Sequence, residues 1–373
     1  FVNYAKKRTM KLKEIISYLE SIAPLAYQES YDNAGLICGD DTMEITAALI
    51  CLDSTEAVID EAVAGGFNLV IAHHPIVFSG IKKLNGKTYI ERVLLKAIKN
   101  NIAIYAAHTN LDNVRTGVNA KICEKLGLIN CRVLVPQKNS LKRLITFVPK
   151  ENAEELRIAL FNAGGGMVGN YNECSFNSTG IGTFKAMEGA DPYIGKVGKR
   201  FEGEEIKVEL VYPPHIESKL VKALLKAHPY EEVAYDLIAL TNSTSEMGAG
   251  MIGVLPEEMD EMEFLQGVKN KMKAETIRYT DLRGKKVKKI AVCGGSGSFL
   301  LQSAITHQAD VFVTADFKYH QFFDAEGRLV IADIGHYESE QFTMELFYEI
   351  LKKKFSTFAL QLTKINTNPI KYL

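Results

Sequence analysis

Apolar runs typical of buried strands alternate with amphipathic segments of helical periodicity in the first third of the chain. The predicted strands there are Ile45–Asp53, Asn68–Ala72 and Ile102–Ala107, and the predicted helices are Glu56–Ala64, Tyr89–Lys99 and Gly117–Leu126. The last third repeats the pattern, with predicted strands Lys289–Cys293, Asp310–Thr314 and Leu329–Ile334 and predicted helices Phe299–His307 and Glu338–Lys354. This alternation predicts an α/β sheet with helices on both faces.

The middle third has a different order of elements. It gives strand Leu141–Val148, helix Ala153–Ala163, strand-like runs within Gly164–Gly182, strand Ile206–Tyr212, helix His215–Lys226 and strand Val233–Ala239. This β-α-β-β-α-β order is ferredoxin-like, and the flanks Pro136–Ser140 and Thr241–Gly250 have the polar, Gly/Ser-rich character of linkers. We therefore predict a discontinuous α/β domain (residues 1–135 and 246–373) with two related sheet-containing halves. A ferredoxin-like α+β insert over residues 136–245 interrupts it.

The composition is that of an ordinary globular protein and argues against several kinds of partner. Of the 373 residues, 47% are hydrophobic and 24% are charged,. The formal net charge of −1 gives no field that would favour nucleic acid or an anionic membrane,. No apolar stretch reaches membrane-spanning length, and the polar, basic residues 1–9 do not resemble a signal peptide. The six cysteines are scattered, which is typical of reduced thiols,. We expect a cytoplasmic protein, with residues 1–9 an extension before a native start at Met10.

Histidine and carboxylate residues follow three of the predicted strands. The adjacent pair His73-His74 ends the first, and neighbouring residues on an extended chain point to opposite sides, so the two imidazoles can reach two different centres,. The other two segments hold the i, i+4 pairs His108/Asp112 and His336/Glu340, which share one face if the chain is helical there,. Each segment alone also fits polar punctuation, a turn or a solvated helix start. In open α/β sheets, however, ligands bind beyond the carboxyl ends of the strands.

The donor types in these segments favour a pair of metal ions. Imidazole and carboxylate without thiolate suit Zn, Mn, Fe or Co rather than Ca. A carboxylate can bridge two ions through its two oxygens, and Glu340 is the natural bridge. Two ions about 3.5–4 Å apart can share and deprotonate a water, which yields a nucleophile at neutral pH.

Two further features have both a functional and a structural interpretation. Gly294, Gly295, Ser296 and Gly297 follow a strand and precede a helix, so their amides could cradle a phosphate,. The alternative is a tight turn that lets strand and helix pack closely. His320 is the candidate non-ligand acid or base, with Asp316 orienting it; the alternative is a satisfied polar pair at a helix start.

Six spaced motifs carry a resemblance to a known family. They are Tyr31-Asp32-Asn33-Ala34-Gly35-Leu36, Ala72-His73-His74-Pro75, His108-Thr109-Asn110-Leu111-Asp112, Cys293 to Ser298, Thr314 to His320 and Gly335-His336 through Glu340. With them the chain resembles the NGG-interacting-factor-three-like dinuclear metal proteins, also called GTP cyclohydrolase 1 type 2 homologues. Two positions depart from the usual pattern, since Tyr31 stands where the family usually has Trp and Ala315 where it usually has Gly.

The resemblance implies a metal site, an assembly and an activity. It implies two divalent ions per chain, Zn first, with Mn, Fe or Co as alternatives. The implied ligands are His73, His74, Asp112, His336 and Glu340, with His108 nearby. It also implies a toroidal homohexamer whose metal sites face an internal cavity.

The insert is similar to the PII-like domain of longer members, in Gly180 to Lys185 and Ala227 to Glu232. That fold forms trimers, so we expect trimer contacts through the insert. We interpret His228 as a structural histidine beside a turn, and His215 and His307 as surface residues.

The resulting hypothesis is a metal-dependent hydrolase that opens the guanine ring of the nucleotide GTP and releases formate. The alternative is a metal-binding, metal-delivery or regulatory protein without turnover, whose insert serves sensing or assembly. An open coordination position on each metal would favour the enzyme.

Overall fold

A computed structural model describes residues 9–138, 140–242 and 244–373 of the chain. The predicted extension over residues 1–9 therefore lies, apart from Thr9, outside the described residues. The chain divides into two compact units: one comprises the residues up to Val135 together with Met247–Leu373, and the other is Pro136–Glu246. In the part of the chain that is described, no helix is both long enough and apolar enough to cross a membrane.

The helices and strands alternate along much of the chain. The helices are α1 (Leu12–Ile22), α2 (Glu56–Gly65), α3 (Tyr89–Lys99), α4 (Thr109–Asp112), α5 (Val118–Leu126), α6 (Ala153–Asn162), α7 (Glu217–Ala227), α8 (Glu261–Lys271), α9 (Leu301–Thr306), α10 (His336–Glu340) and α11 (Thr343–Lys354). The strands are β1 (Met10–Lys11), β2 (Gly35–Cys38), β3 (Glu44–Ile45), β4 (Ala47–Asp53), β5 (Leu69–His74), β6 (Ala103–Ala106), β7 (Ile129–Pro136), β8 (Leu141–Pro149), β9 (Phe176–Lys185), β10 (Arg200–Tyr212), β11 (Tyr235–Leu240), β12 (Gly248–Asp260), β13 (Arg278–Tyr279), β14 (Lys286–Ser296), β15 (Val311–Ala315), β16 (Val330–Asp333) and β17 (Ala359–Leu362).

The larger unit contains two mixed sheets. The first has the order β17-β4-β5-β6-β2, with β17, β4, β5 and β6 parallel and β2 antiparallel at the edge. The second has the order β13-β16-β15-β14-β12-β7, with β14, β15 and β16 parallel and both β12 and β13 antiparallel to their partners. The central parallel strands are buried on both faces, which explains their nearly continuous apolar sequences,.

Each of the two sheets includes one strand from the opposite part of the sequence. The C-terminal strand β17 joins the first sheet, and β7 from the N-terminal part joins the second. One apolar cluster also takes side chains from both sheets, for example Ile71 and Tyr105 from the first and Val292 and Val313 from the second. The two predicted sheet-containing parts are therefore not separate in sequence, because each sheet is completed by a strand from the other part of the chain.

The smaller unit has the predicted order of elements, β8-α6-β9-β10-α7-β11. Its antiparallel sheet has the order β11-β8-β10-β9. Leu144, Leu156, Leu160, Leu220 and Leu224 belong to an apolar cluster that lies wholly within this unit. The unit therefore has a core of its own.

One predicted helix is divided in two. Instead of a single helix from Glu338 to Lys354, α10 ends at Glu340 and α11 begins at Thr343. The apolar periodicity extends over both helices, so it did not reveal the break at Gln341 and Phe342. The break leaves α10 as a single short helix between β16 and the long helix α11.

Candidate metal centre

The first sheet contributes residues from the ends of two neighbouring parallel strands. His73 and His74 are the last two residues of β5. His108 follows β6 and is the N-cap residue of α4, and Asp112 is the last residue of that short helix. Because parallel strands end at the same edge of a sheet, these side chains come close together.

The second sheet contributes a histidine and a carboxylate from α10. Gly335, at a φ of 93°, connects β16 to this helix, and His336 and Glu340 are its first and last residues. They lie on one helical face, as their i, i+4 spacing predicts. The distance between His336 Nε2 and Glu340 Oε2 is 3.1 Å.

An oxygen acceptor holds the Nδ1 atom of every histidine in this cluster. The Nδ1 pairs are His73 with the Ala107 carbonyl at 2.8 Å, His74 with Asp53 at 2.7 Å, His108 with Asp32 at 2.8 Å and His336 with Asp316 at 2.6 Å. A carbonyl or carboxylate oxygen only accepts, so Nδ1 carries the proton of the neutral ring and Nε2 keeps its lone pair. Metal-binding histidines are commonly oriented in this way.

The Nε2 atoms and the carboxylates form three overlapping groups that could hold a metal ion. In each group the ligand atoms lie within 4.8 Å of one another; the groups are His73/Asp112/Glu340, His74/His336/Glu340 and His73/His74/His108. Glu340 belongs to two of them, and its Oε2 lies 2.9 Å from His74 Nε2 and 3.8 Å from His73 Nε2. All the predicted ligands are therefore brought together, with Glu340 between the two adjacent histidines.

Two buried polar atoms at this position have no hydrogen-bond partner among the residues that the structure describes. They are His73 Nε2 and Asp112 Oδ1, which lie 3.6 Å apart. His73 is fully buried. Leaving a buried donor or acceptor unsatisfied costs about 1–3 kcal/mol, so such atoms are rare in folded proteins. A metal ion bound by both atoms would satisfy them, so the donor set fits a metal.

The charges of the chain alone also favour a cation. Burial, and then the charge of Glu340, raise the pKa of Asp112 to about 8. Burial opposes ionisation of Glu340 as well, but the hydrogen bonds with His336 and His74 and the nearby His73 ring outweigh it and hold the pKa of Glu340 well below its usual range. Glu340 is buried and Asp112 partly buried. Two carboxylates at one site repel each other when both are ionised, and a bound cation removes that repulsion.

Two imidazoles of the cluster have a raised pKa, so protons on them can supply part of this positive charge. Burial disfavours the charged ring, but hydrogen bonds to Asp53 and Glu340 outweigh it and raise the pKa of His74 to about 9. In the same way, Asp316 and Glu340 raise the pKa of His336 to about 11 against the effect of burial. A metal ion would have to displace these Nε2 protons, so its binding would release protons.

The site is reached from two cavities. One, of about 390 Å³, is lined by Tyr31, Phe299 and the metal-site residues Asp112, His336 and Glu340 among others. The second, of about 580 Å³, includes Asp53, Phe78 and Thr367 in its lining together with His74, His108 and His336. His108 and His336 line both cavities, so the histidine and carboxylate cluster lies between them.

The glycine segment at the end of β14 approaches the cluster closely. A Cβ atom on Gly295 would lie 2.4 Å from Glu340 Oε1, and one on Gly297 would lie 2.1 Å from Thr314 Oγ1. The amides of Gly294 and Gly295 donate to Asn119 and Ser339. These two amides are therefore not free for a phosphate, which corrects that part of the predicted phosphate site, and close packing explains the glycines. Phosphate contacts at Ser296 and Gly297 stay a prediction.

His320, the predicted acid or base, and Asp316, predicted to orient it, have different surroundings. His320 is exposed, and its ring contacts Tyr319 and Phe323. Asp316 accepts from His336 rather than orienting His320. The expected pair of Asp316 and His320 is thus not formed, and Asp316 instead positions a candidate metal ligand.

Two positioning carboxylates were not identified from the sequence. Asp53 is paired with His74 across the parallel strands β4 and β5, so it ends its strand beside that histidine. Asp32 accepts from His108 and from both the amide and the hydroxyl of Thr109, and the His108 and Thr109 side-chain hydrogen bonds outweigh burial and lower the pKa of Asp32 to about 2. The sequence signal available for Asp53 was its position as a carboxylate at the end of β4, the strand beside β5. The signal for Asp32 was its place in the first motif.

Fold and site together define a mixed α/β protein with groups of histidine and carboxylate side chains that could bind a metal ion. A family model described as Duf34/NIF3 (NGG1p interacting factor 3) matches residues 10–369. The chain therefore belongs to the DUF34/NIF3 family, and the resemblance seen in the sequence is confirmed.

Relatives and solved structures match over nearly the whole length. A Bacillus subtilis protein named GTP cyclohydrolase 1 type 2 homolog is 39% identical over 367 residues, which cover 97% of this chain and 98% of the relative. The crystal structure of a Bacillus cereus protein related to NIF3 has a TM-score of 0.84 at 38% identity, with 99% of this chain and 100% of the other covered. A Staphylococcus aureus crystal structure has a TM-score of 0.77 at 29% identity, with 98% and 99% covered.

Proposed function

We propose that this protein is a hydrolase with a dinuclear divalent-metal centre. The observation that carries the proposal is that Glu340 belongs to two of the candidate metal groups, one with His73 and Asp112 and the other with His74 and His336. A carboxylate shared between two groups is suited to bridging two ions. Two such ions, Zn first and Mn, Fe or Co as alternatives, would supply Lewis acidity and lower the pKa of a coordinated water.

The residues around the cluster hold its imidazoles in place. Asp53 and Asp316 accept from the Nδ1 atoms of His74 and His336, which fixes both rings with Nε2 directed at Glu340. His108, held by Asp32, adds a further imidazole within reach of His73 and His74. Such fixed ligands favour one geometry, which a catalytic centre needs.

Two aromatic rings favour a planar substrate. Tyr31 and Phe299 line the cavity of about 390 Å³ together with His336 and Glu340. Tyr31 is 68% exposed and Phe299 is 69% exposed. Bases stack on aromatic side chains, with about 1–3 kcal/mol per base. The name of the relatives indicates GTP as the first substrate to test. In our proposal, its guanine ring lies against these two rings.

The phosphate groups of a nucleotide would have few partners here. Among the described residues that line the two cavities, none is Lys or Arg. We therefore expect the ring rather than the triphosphate to provide most of the binding energy. Guanosine should then compete with GTP at a similar concentration.

The resemblance also supports an assembly, and the scattered cysteines support a location,. We propose a cytoplasmic homohexamer in the form of a toroid, with trimer contacts made by a PII-like smaller unit. His320 remains the proposed acid or base outside the cluster. Light scattering on the purified protein tests the hexamer, because its mass would be about six times that of the chain.

The decisive experiment is formate release from GTP by protein loaded separately with Zn, Mn, Fe or Co. We expect turnover with at least one metal and none with Glu340→Gln. His307→Ala is the control, because His307 belongs to none of the candidate metal groups and its Nδ1 donates to the Ser303 carbonyl at its own helix end. If the protein binds two ions and no metal form releases formate, the GTP hydrolase is wrong and the non-catalytic metal-binding alternative is favoured.

A further inference from the structure

The smaller unit has a cavity of its own, separate from the metal centre. Its volume is about 660 Å³, and every residue that lines it belongs to the smaller unit. Its walls come from the end of β9 and the segment after it, from β10 and from the segment between α7 and β11. Nothing in the proposed metal chemistry uses this cavity.

Aromatic rings form one side of this cavity. The ring centroid of Tyr230 lies 6.3 Å from that of Phe184 and 6.2 Å from that of Tyr193. The ring planes are inclined by 63° and 50°, so the three rings form separate walls rather than a stack. Tyr193 is 51% exposed, so its ring is accessible to a ligand.

Carboxylates form another part of the lining. Glu205, Glu231 and Glu232 line the cavity, whereas Lys185 is the one Lys or Arg among its described lining residues. Glu205 is fixed there, because its Oε1 accepts from the Tyr230 hydroxyl at 2.6 Å. Its Oε2 lies over Gly182, where a Cβ atom would be only 2.0 Å away. The formal charge of the lining is therefore negative.

This combination of groups excludes two kinds of ligand. A nucleotide or another phosphate would meet negative charge. A bare metal ion needs several ligand atoms close together, and every such group found in the described chain lies in the larger unit. A positive charge that carries apolar groups meets both features, because cations are attracted to the faces of aromatic rings and to carboxylates.

We propose that this cavity binds an organic ammonium cation, with its alkyl groups against Phe184, Tyr193 and Tyr230 and its charge beside Glu205. The aromatic rings alone would equally take a neutral apolar ligand. The carboxylate fixed against Tyr230 is what makes the site selective for a cation. This proposal is independent of the metal-dependent activity.

The test compares choline with 3,3-dimethylbutan-1-ol, which has the same shape without the charge. Binding of each probe to the full-length protein is measured by saturation-transfer NMR and calorimetry. We expect one choline per chain and binding of the neutral probe weaker by about tenfold or more. Tyr193→Leu should weaken choline binding by about tenfold, and Glu205→Gln should weaken choline but not the neutral probe.

A matched control is available in the same unit. Tyr171 is 75% exposed and does not line the cavity, so Tyr171→Leu should leave choline binding unchanged. Circular dichroism of each variant checks its folding. Absence of choline binding, equal binding of both probes or full binding by Tyr193→Leu would overturn the proposal. So would loss of choline binding as chains associate at higher concentration, because the cavity would then be an interface between copies.

Discussion

At the residue scale, the roles within the metal cluster are unequal. Glu340 belongs to two of the candidate groups, whereas Asp112 and His336 each belong to one. Glu340 is also 3% exposed, so its charge would be costly in the interior without a positive partner,. Its loss should therefore affect both proposed ions, and the loss of a peripheral ligand should affect one.

This inequality predicts metal stoichiometry. Wild-type protein should bind two ions per chain, Asp112→Asn and His336→Ala about one each, and Glu340→Gln few or none, because a bridging ligand serves both sites. The measurement is metal content by mass spectrometry after dialysis, with His307→Ala as the control that keeps both ions. Equal metal loss in all three ligand variants would show that the ions are not held in two separate groups. Full retention by Glu340→Gln would remove Glu340 from the centre.

At the element scale, the end of β14 is shaped by its neighbour α10. Gly295 has a φ of 59°, and a side chain there would meet Glu340. Gly327 has a similar φ of 67° but has open space around its Cβ position. The two glycines therefore separate the cost of the backbone conformation from the cost of the close approach.

We expect Gly295→Ala to lose metal affinity and Gly327→Ala to keep it. Both should lower the free energy of unfolding by about 1 kcal/mol, because alanine disfavours a positive φ. Only Gly295→Ala should displace the Glu340 carboxylate. Metal titration and thermal unfolding of both variants measure the two effects. Equal metal affinity in the two variants would mean that Glu340 can move aside without consequence.

A carboxylate outside the metal cluster, Asp310, lies directly before β15 and fixes the start of that strand. Its oxygens accept from the amides of Lys288 and Lys289 and from the Arg283 guanidinium. Burial disfavours the charged form, but these hydrogen bonds outweigh it and lower the pKa of Asp310. A lowered pKa in the folded state gives stability that is present above the unfolded pKa of about 3.9 and is lost as the pH falls through the folded value.

Asp310→Asn should therefore destabilise the protein more at pH 7 than at pH 3. We expect a loss of about 1–2 kcal/mol at pH 7, since charged hydrogen bonds are involved and solvent screens them in part. The side chain is 24% exposed. Unfolding curves at both pH values measure the difference, with the exposed Asp41→Asn as the control. A difference between wild type and variant that grew as the pH fell would contradict the assignment.

At the scale of the whole molecule, the C-terminal segment supports both the first sheet and the metal cluster. Strand β17 pairs with β4, and Thr367 beyond it donates to Asp53 at 2.6 Å. Asp53 in turn accepts from His74. The last residues of the chain therefore reach a candidate metal ligand through one intermediate side chain.

Two truncations separate these contributions. Removal of residues 366–373 should lower metal affinity with little change in stability, because Asp53 loses the Thr367 hydroxyl while β17 remains. Removal of 359–373 should lower the stability as well, because it exposes the edge of β4. Thermal unfolding and metal titration are the measurements. Unchanged metal affinity in the shorter truncation would show that Thr367 does not help to position His74.

Much of the candidate site could be predicted because its residues directly follow apolar strands. Parallel strands end at a common edge of the sheet. The residues that come just after predicted strands are His73, His74, Asp112, His336 and Glu340. Asp53 and Thr367 could not be placed in this way. Their roles depend on the pairing of β4 with β5 and on the path of the C-terminal segment, which no local pattern encodes.

By itself the sequence determined the alternation of strands and helices, the separate insert and the donor types of the cluster, because hydrophobic periodicity and side-chain chemistry are local properties. Only the tertiary structure decided that β7 and β17 cross to the other sheet and that the amides of Gly294 and Gly295 are already used. It also decided that Asp316 serves His336 rather than His320. These are matters of distance between segments far apart in the chain, and they are settled only when the two sheets pack on a common core.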